Sequence, residues 1–97
     1  MVVLEGVVAS RDVVRVTPGG IQVLNLAIKH QSTQLEGTQQ VAVELEMNAI
    51  AFGEVAKTLD ALKVGAALSV KGFLSQKNRY NTLPVLHITQ FKMLSES

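Results

Sequence analysis

Three residues on one short polar stretch offer the most direct chemistry in this chain. Lys77, Arg79 and Tyr80 lie within Val70 to Phe91, VKGFLSQKNRYNTLPVLHITQF, between two apolar segments that are each short enough to be a strand. Two cations and an aromatic ring with no acid among them suit a polyanion, because cations track phosphates and an aromatic face stacks a base. The wider charge distribution agrees. From Val41 to Leu62 the charges are Glu44, Glu46, Glu54 and Asp60 against Lys57, whereas from Lys63 to Leu94 they are Lys63, Lys71, Lys77, Arg79 and Lys92. Net charge is only +1, but local potential is what steers a charged partner. Lys63, Lys71 and Lys92 also read as solvating charges that discourage edge pairing of strands.

Catalytic and metal chemistry find little support. His30 and His87 are the only histidines, and lone histidines in or at the ends of strands are more often structural or surface groups than catalysts. Thr17 to Gly20 reads as a strand connection and lacks the lysine and hydroxyl pattern of a phosphate-cradling loop. Glu44 and Glu46 share one strand face, and a metal would need ligands from elsewhere. There is no cysteine, hence no disulfide framework and no thiolate site. The chain reads as a binding protein without metal or cofactor, not as an enzyme.

These residues need elements to hold them. Ninety-seven residues, 47% of them hydrophobic, suit one domain over residues 1–97 with its own core. The N-terminus, MVVLEGVVASRD, has no basic region, and no uncharged apolar run approaches the ~20 residues that span a bilayer. The cytoplasm is the default location. Val2 to Ser10 alternates as a half-buried strand with Gly6 at a bulge or bend, Val13 to Val16 resumes it, and Thr17, Pro18, Gly19 and Gly20 form a turn. Ile21 to His30 places Leu24, Leu26 and Ile28 on a core face, Gln31 to Gln40 reads as a long hairpin loop, and Val41 to Met47 points Val43, Leu45 and Met47 inward.

The period then changes. Phe52, Val55, Ala56, Leu59 and Leu62 recur at helical steps within Asn48 to Lys63, with Asn48 as cap and Gly65 as stop. Ala66 to Ser75 and Leu83 to Leu94 complete five strands. Three strands, a helix and two strands is the order of the five-stranded Greek-key OB-fold barrel, an all-β fold with one short helix between strands three and four. That fold binds oligonucleotides on its strand two to three face and its loops.

The runs VTPGGIQVLNLAIKHQS, VELEMNAIAFG, LKVGAALSVKGFLSQKNR and VLHI, in this order over nearly the whole chain, resemble primosomal replication protein N. That family is a small relative of bacterial single-stranded DNA-binding proteins. The resemblance implies an OB-fold homodimer joined through strand one, which binds single-stranded DNA in replication restart and bridges the primosomal helicase to later loading factors. Carried over by position, the family's basic turn residue falls on Arg15, its basic residues after strand four fall on Lys77 and Arg79, and Lys29 sits beside the binding surface. Glu44 stands where the family has an aromatic residue, and Gln31 where a basic residue often follows His30.

The chain is short of stacking residues. It has no tryptophan, Phe52 falls on the expected apolar helix face, and Phe73 and Phe91 fall within strands, where core or dimer packing accounts for them. Tyr80 is the remaining candidate for stacking, with loop packing as its alternative. Arg15, Lys29, Lys77 and Arg79 then supply most of the affinity, neutralising about three phosphates per protomer for a log–log salt slope of about −2, or near −4 where a dimer engages one strand across both faces. Glu44 and Glu46 bias the strand towards the loops. A protein-interaction adaptor with little DNA affinity and an RNA-binding OB domain remain as alternatives, since nothing here reads a 2′-OH.

Overall fold

The computed structural model describes residues 1–76 and 83–94. In chain order the elements are β1 (Val2–Arg11), β2 (Arg15–Val16), β3 (Gln22–Glu36), β4 (Gln39–Phe52), α1 (Gly53–Leu59), β5 (Ala67–Gln76) and β6 (Pro84–Met93). The strands run β1-β5-β6-β4-β3-β2 across one sheet, and β1 also pairs with β3. Five strands thus return on themselves as a barrel, with the two-residue β2 attached to β3. The ring is held least where β4 meets β6, by the parallel pairs Ala49 to Leu86, Ile50 to His87 and Ala51 to Ile88. The barrel is therefore partly closed, an all-β OB architecture with the expected helix between its third and fourth long strands.

Alternation in the sequence decides the core. Leu24 and Ile28 of β3, Leu68 and Val70 of β5 and Leu86 of β6 are fully buried, and Leu59 of α1 joins them. Burying each such side chain contributes about 1.5–3 kcal/mol. Truncating Leu86 would leave a cavity where three strands converge, at a cost of about 2–5 kcal/mol.

Two glycines let strands cross closely. A Cβ at Gly6 would overlap the Lys29 carbonyl, where β1 leaves β3 for β5. The bulge expected at Gly6 lies instead between Val8 and Ser10. A Cβ at Gly72 would overlap the His87 carbonyl, beside the register shift between Lys71 and Gly72.

The helix is shorter than its sequence period implies. Asn48 to Phe52 continue β4, with Asn48 opposite Ala27, so Asn48 caps nothing. The helix begins after Phe52, which makes no side-chain cap, and Gly53 turns the chain out of the strand at φ 65°. Ala56 and Leu59 form its buried face, and it packs on β3, β4 and β6. Its C-terminal end leaves unpaired carbonyls. Arg11 of β1 answers them: one guanidinium nitrogen donates to the carbonyls of Asp60 (2.7 Å) and Leu62 (3.0 Å). The other pairs with the Asp60 carboxylate. Gly65 does not end the helix; at φ 95° it shapes the turn into β5, and its N–H donates to the Val8 carbonyl.

The expected loop from Gln31 to Gln40 is two strands and a tight turn. Pairing continues without interruption from Val23 with Phe52 to Glu36 with Gln39. Gly37, at φ 62°, occupies the first central position of a two-residue connection, the place where a tight hairpin requires glycine. Beyond Lys29 this ribbon runs past the barrel as an arm, giving the molecule a long dimension of 54 Å. Val43 and Leu45, expected in the core, are 38% and 42% exposed because the arm has no barrel beneath it.

Candidate nucleic-acid interface

The outer face of β3 and β4 carries Asn25, Ala27 and Lys29 on one strand and Phe52, Ile50, Asn48 and Glu46 on the other, as the register requires. A cleft of about 580 Å³ lies over this face. Its floor includes Asn25, Asn48, Ile50 and His87. Arg15 and Asp12, from the β1–β2 connection, form one wall; Gln76 and Leu83, which flank residues 77–82, form the other. Arg15 is exposed at this wall, its strand paired to Val23.

A row of three rings runs along the same face. Phe73 of β5 sits opposite His87 of β6, with ring centroids 4.9 Å apart and planes 21° from parallel. Phe52 at the end of β4 lies on the other side of His87, at 5.5 Å and 34°. Phe73 is 50% exposed and Phe52 43%. Both rings are therefore open to solvent in the single chain, contrary to the core reading of Phe52 and Phe73. Alternation carried the signal: Phe73 shares strand parity with Lys71, and Phe52 with Asn48, on the outward side. The apolar character of phenylalanine concealed it.

Lys29 is engaged. Its Nζ lies 2.5 Å from Oε1 of Glu44, diagonally across the β3–β4 ribbon, and Glu46 is its direct cross-strand neighbour. The hydrogen bond and charge of Glu44 hold the Lys29 ammonium above its ordinary range, with a smaller contribution from Glu46. Lys29 in turn holds the Glu44 carboxyl below the ordinary range, and Gln31 adds a hydrogen bond. Both groups face water, so salt screens the pair. It still sets a carboxylate beside the one cation that the arm root presents.

The structure thus brings Arg15 to the cleft and places Lys29 at the arm root under Glu44. Lys77, Arg79 and Tyr80 lie outside the described residues. His30 works locally. Its Nδ1–H donates to the Glu5 carbonyl at 2.6 Å, tying β3 to β1 where the two diverge. Among the described residues no group of three His, Cys, Asp or Glu side chains is placed to hold a metal ion.

Residues 1–90 match a family described as another single-strand binding protein family. Replication restart protein PriB of Neisseria meningitidis serogroup C (strain 053442) is 40% identical over 79 residues, covering 81% of this chain and 78% of that protein. The chain belongs to the PriB family. PriB of Ralstonia solanacearum has the same fold, with a TM-score of 0.83 at 26% identity over 97% of this chain and 96% of that one. The single-stranded DNA-binding protein of Thermus aquaticus shares the fold at a TM-score of 0.79 and 24% identity, over 96% of this chain and 48% of that one. Family membership agrees with the resemblance carried by the Thr17 to Ile21 turn and the Val70 to Lys77 segment.

Proposed function

We propose that this chain is a single-stranded DNA-binding accessory protein of the replication restart primosome. The observation that carries this reading is the cleft: an open groove on the β3–β4 face with Arg15 on one wall, Gln76 and Leu83 on the other, and exposed rings beside its floor. Arg15, Lys77 and Arg79 hold phosphates, while Phe73, Phe52 and Tyr80 offer faces to bases. Lys29 contributes little while Glu44 neutralises it. The chain acts by binding, without catalysis or cofactor, in the cytoplasm; no helix among the described residues is long and apolar enough to cross a membrane.

Two chains join through β1. Its register with β3 begins only at Val7, so Val2 to Glu5 pair with β5 alone and Val3 is 59% exposed. An unpaired, β-prone edge is a liability that a two-fold partner removes. The dimer holds a strand and bridges to the primosomal helicase.

Titration of labelled oligothymidine against salt tests this. Three phosphate contacts per protomer give a log–log slope of about −2 for a strand held by one protomer and near −4 for one held across the dimer. Absence of binding at low salt, with helicase binding retained, would shift the assignment to a protein adaptor. That second reading draws on the arm, whose Glu36, Glu44 and Glu46 face solvent with only Lys29 to balance them. Tighter binding of a matched RNA oligomer would instead indicate an RNA-binding OB domain.

A further inference from the structure

Ile50 occupies the middle of the outer sheet face and has a distinctive ring of neighbours. Asn25 lies directly opposite on β3, His87 lies beside it on β6, and Asn48 and Phe52 flank it along β4 on the same face. Directly opposed side chains in a sheet have Cβ atoms about 4.5–5.5 Å apart, and diagonal ones about 7–8 Å. A half-buried aliphatic floor is therefore bordered by two carboxamides, an imidazole and a phenyl ring, each a nearest neighbour of Ile50 along or across the strands.

Strand propensity does not account for the two asparagines. Asparagine is disfavoured in strands, yet these two sit on adjoining strands inside the barrel sheet. Asn25 is half-buried in the cleft floor and Asn48 is exposed beside it, so a ligand in the cleft can reach both amides. Each amide presents a donor and an acceptor side by side, the pattern that the Watson–Crick edge of every nucleobase also presents. No cation belongs to this ring of neighbours, so it suits a base; Arg15 stands on the wall, where the phosphate would pass.

We infer that Ile50 and its neighbours form a nucleobase seat, in which a base lies across Ile50 against the Phe52 and His87 rings while Asn25 and Asn48 hydrogen-bond its edge. This rests on the single-strand reading and adds to it an edge contact, made by residues that neither charge nor stacking would single out. Because an amide can turn to match any base edge, the seat raises affinity for bases without selecting strongly among them.

The test compares an oligothymidine with an oligomer of equal length in which thymine is replaced by 2,4-difluorotoluene, which keeps the shape and stacking face but hardly hydrogen-bonds. Fluorescence anisotropy should show the wild-type chain binding the thymine oligomer roughly ten-fold more tightly, the size of one good edge contact. In the Asn25→Leu, Asn48→Leu double variant the preference disappears while the salt slope stays the same; Asn48→Ala alone, at an exposed position, should reduce it. Equal binding of the two oligomers by the wild-type chain overturns the inference and leaves the single-strand reading intact. Failure to bind either at low salt overturns both.

Discussion

Neutralising Glu44 in a Glu44→Gln variant should release Lys29 while leaving β4 unchanged, because glutamine keeps the shape and loses only the charge. In the wild type the Lys29 ammonium lies 2.5 Å from the Glu44 carboxylate, so a phosphate arriving there meets a cation already matched by an anion. With Glu44 neutral, the number of phosphates contacted rises by about one, and the log–log salt slope steepens from about −2 to about −2.7. The same increment predicts affinity for oligothymidine about eight-fold higher at 0.05 M salt and about three-fold higher at 0.2 M. Anisotropy titrations over a salt series measure both quantities. A variant whose slope and affinity match the wild type would show that the strand does not pass the arm root, refuting Lys29 as a contact.

The same pair sets a pH signature. Glu44 titrates below its ordinary 4.5 and Lys29 above its ordinary 10.5. The Glu44 contribution to stability is complete above the unfolded carboxylate value and is lost as pH falls through the folded one. That of Lys29 is complete below 10.5 and is lost as pH rises through its raised value. Across the neutral range the pair is constant. On acidification past the carboxylate range Glu44 protonates, and wild-type affinity for oligothymidine should gain an increment that Glu44→Gln does not show.

Phe73→Ala should weaken oligothymidine binding by about 1–3 kcal/mol at unchanged salt slope, since a stacking face and no charge is removed; a changed slope would mean that the ring row acts by placing a cation. Single alanine variants at Lys77 and Arg79 should each flatten the slope by about 0.7, whereas Tyr80→Ala should lower affinity alone. Arg11→Ala removes the donor to the carbonyls of Asp60 and Leu62 and should cost about 1.5–3 kcal/mol of stability. Thermal denaturation reads this as a fall in Tm of about 4–8 °C per kcal/mol, and an unchanged Tm would show that the helix end needs no such support. Val3→Lys at the open β1 edge should leave the fold intact and shift the sedimentation mass from two chains to one. A wild-type mass of one chain at micromolar concentration would remove β1 as an interface.

The order of long strands and the position of the helix were readable because burial imposes alternation. Leu24, Leu26 and Ile28 repeat at every second residue since one side of β3 faces the core. The same logic explains what was hidden. From Gln31 to Glu46 the ribbon is wet on both faces, so no alternation is selected in β3 and polar strands look like a loop. Ala49 and Ala51 are buried but small, and their weak signal let the helical period be read from Asn48 onward. Phe52 and Phe73 look like core by residue type and are outward by parity. Their meeting with His87 depends on a parallel β4–β6 seam and on Gly72, which pairwise spacing in the sequence does not express. The acids at Glu44 and Glu46 were visible as obstacles, but the identity of the cation they neutralise followed only from the diagonal register.

The β4–β6 seam also fixes when, in the life of the molecule, a strand can first be held. Ile50 and Phe52 are synthesised well before His87, and three parallel pairs near the end of the chain bring them together. Distant pairings of this kind form late and slowly, because loop closure is costly before the contacts are made. A chain whose β6 has yet to pair lacks the middle of the ring row and the last strand of the barrel. Barrel closure and assembly of the ring row therefore arrive in one step.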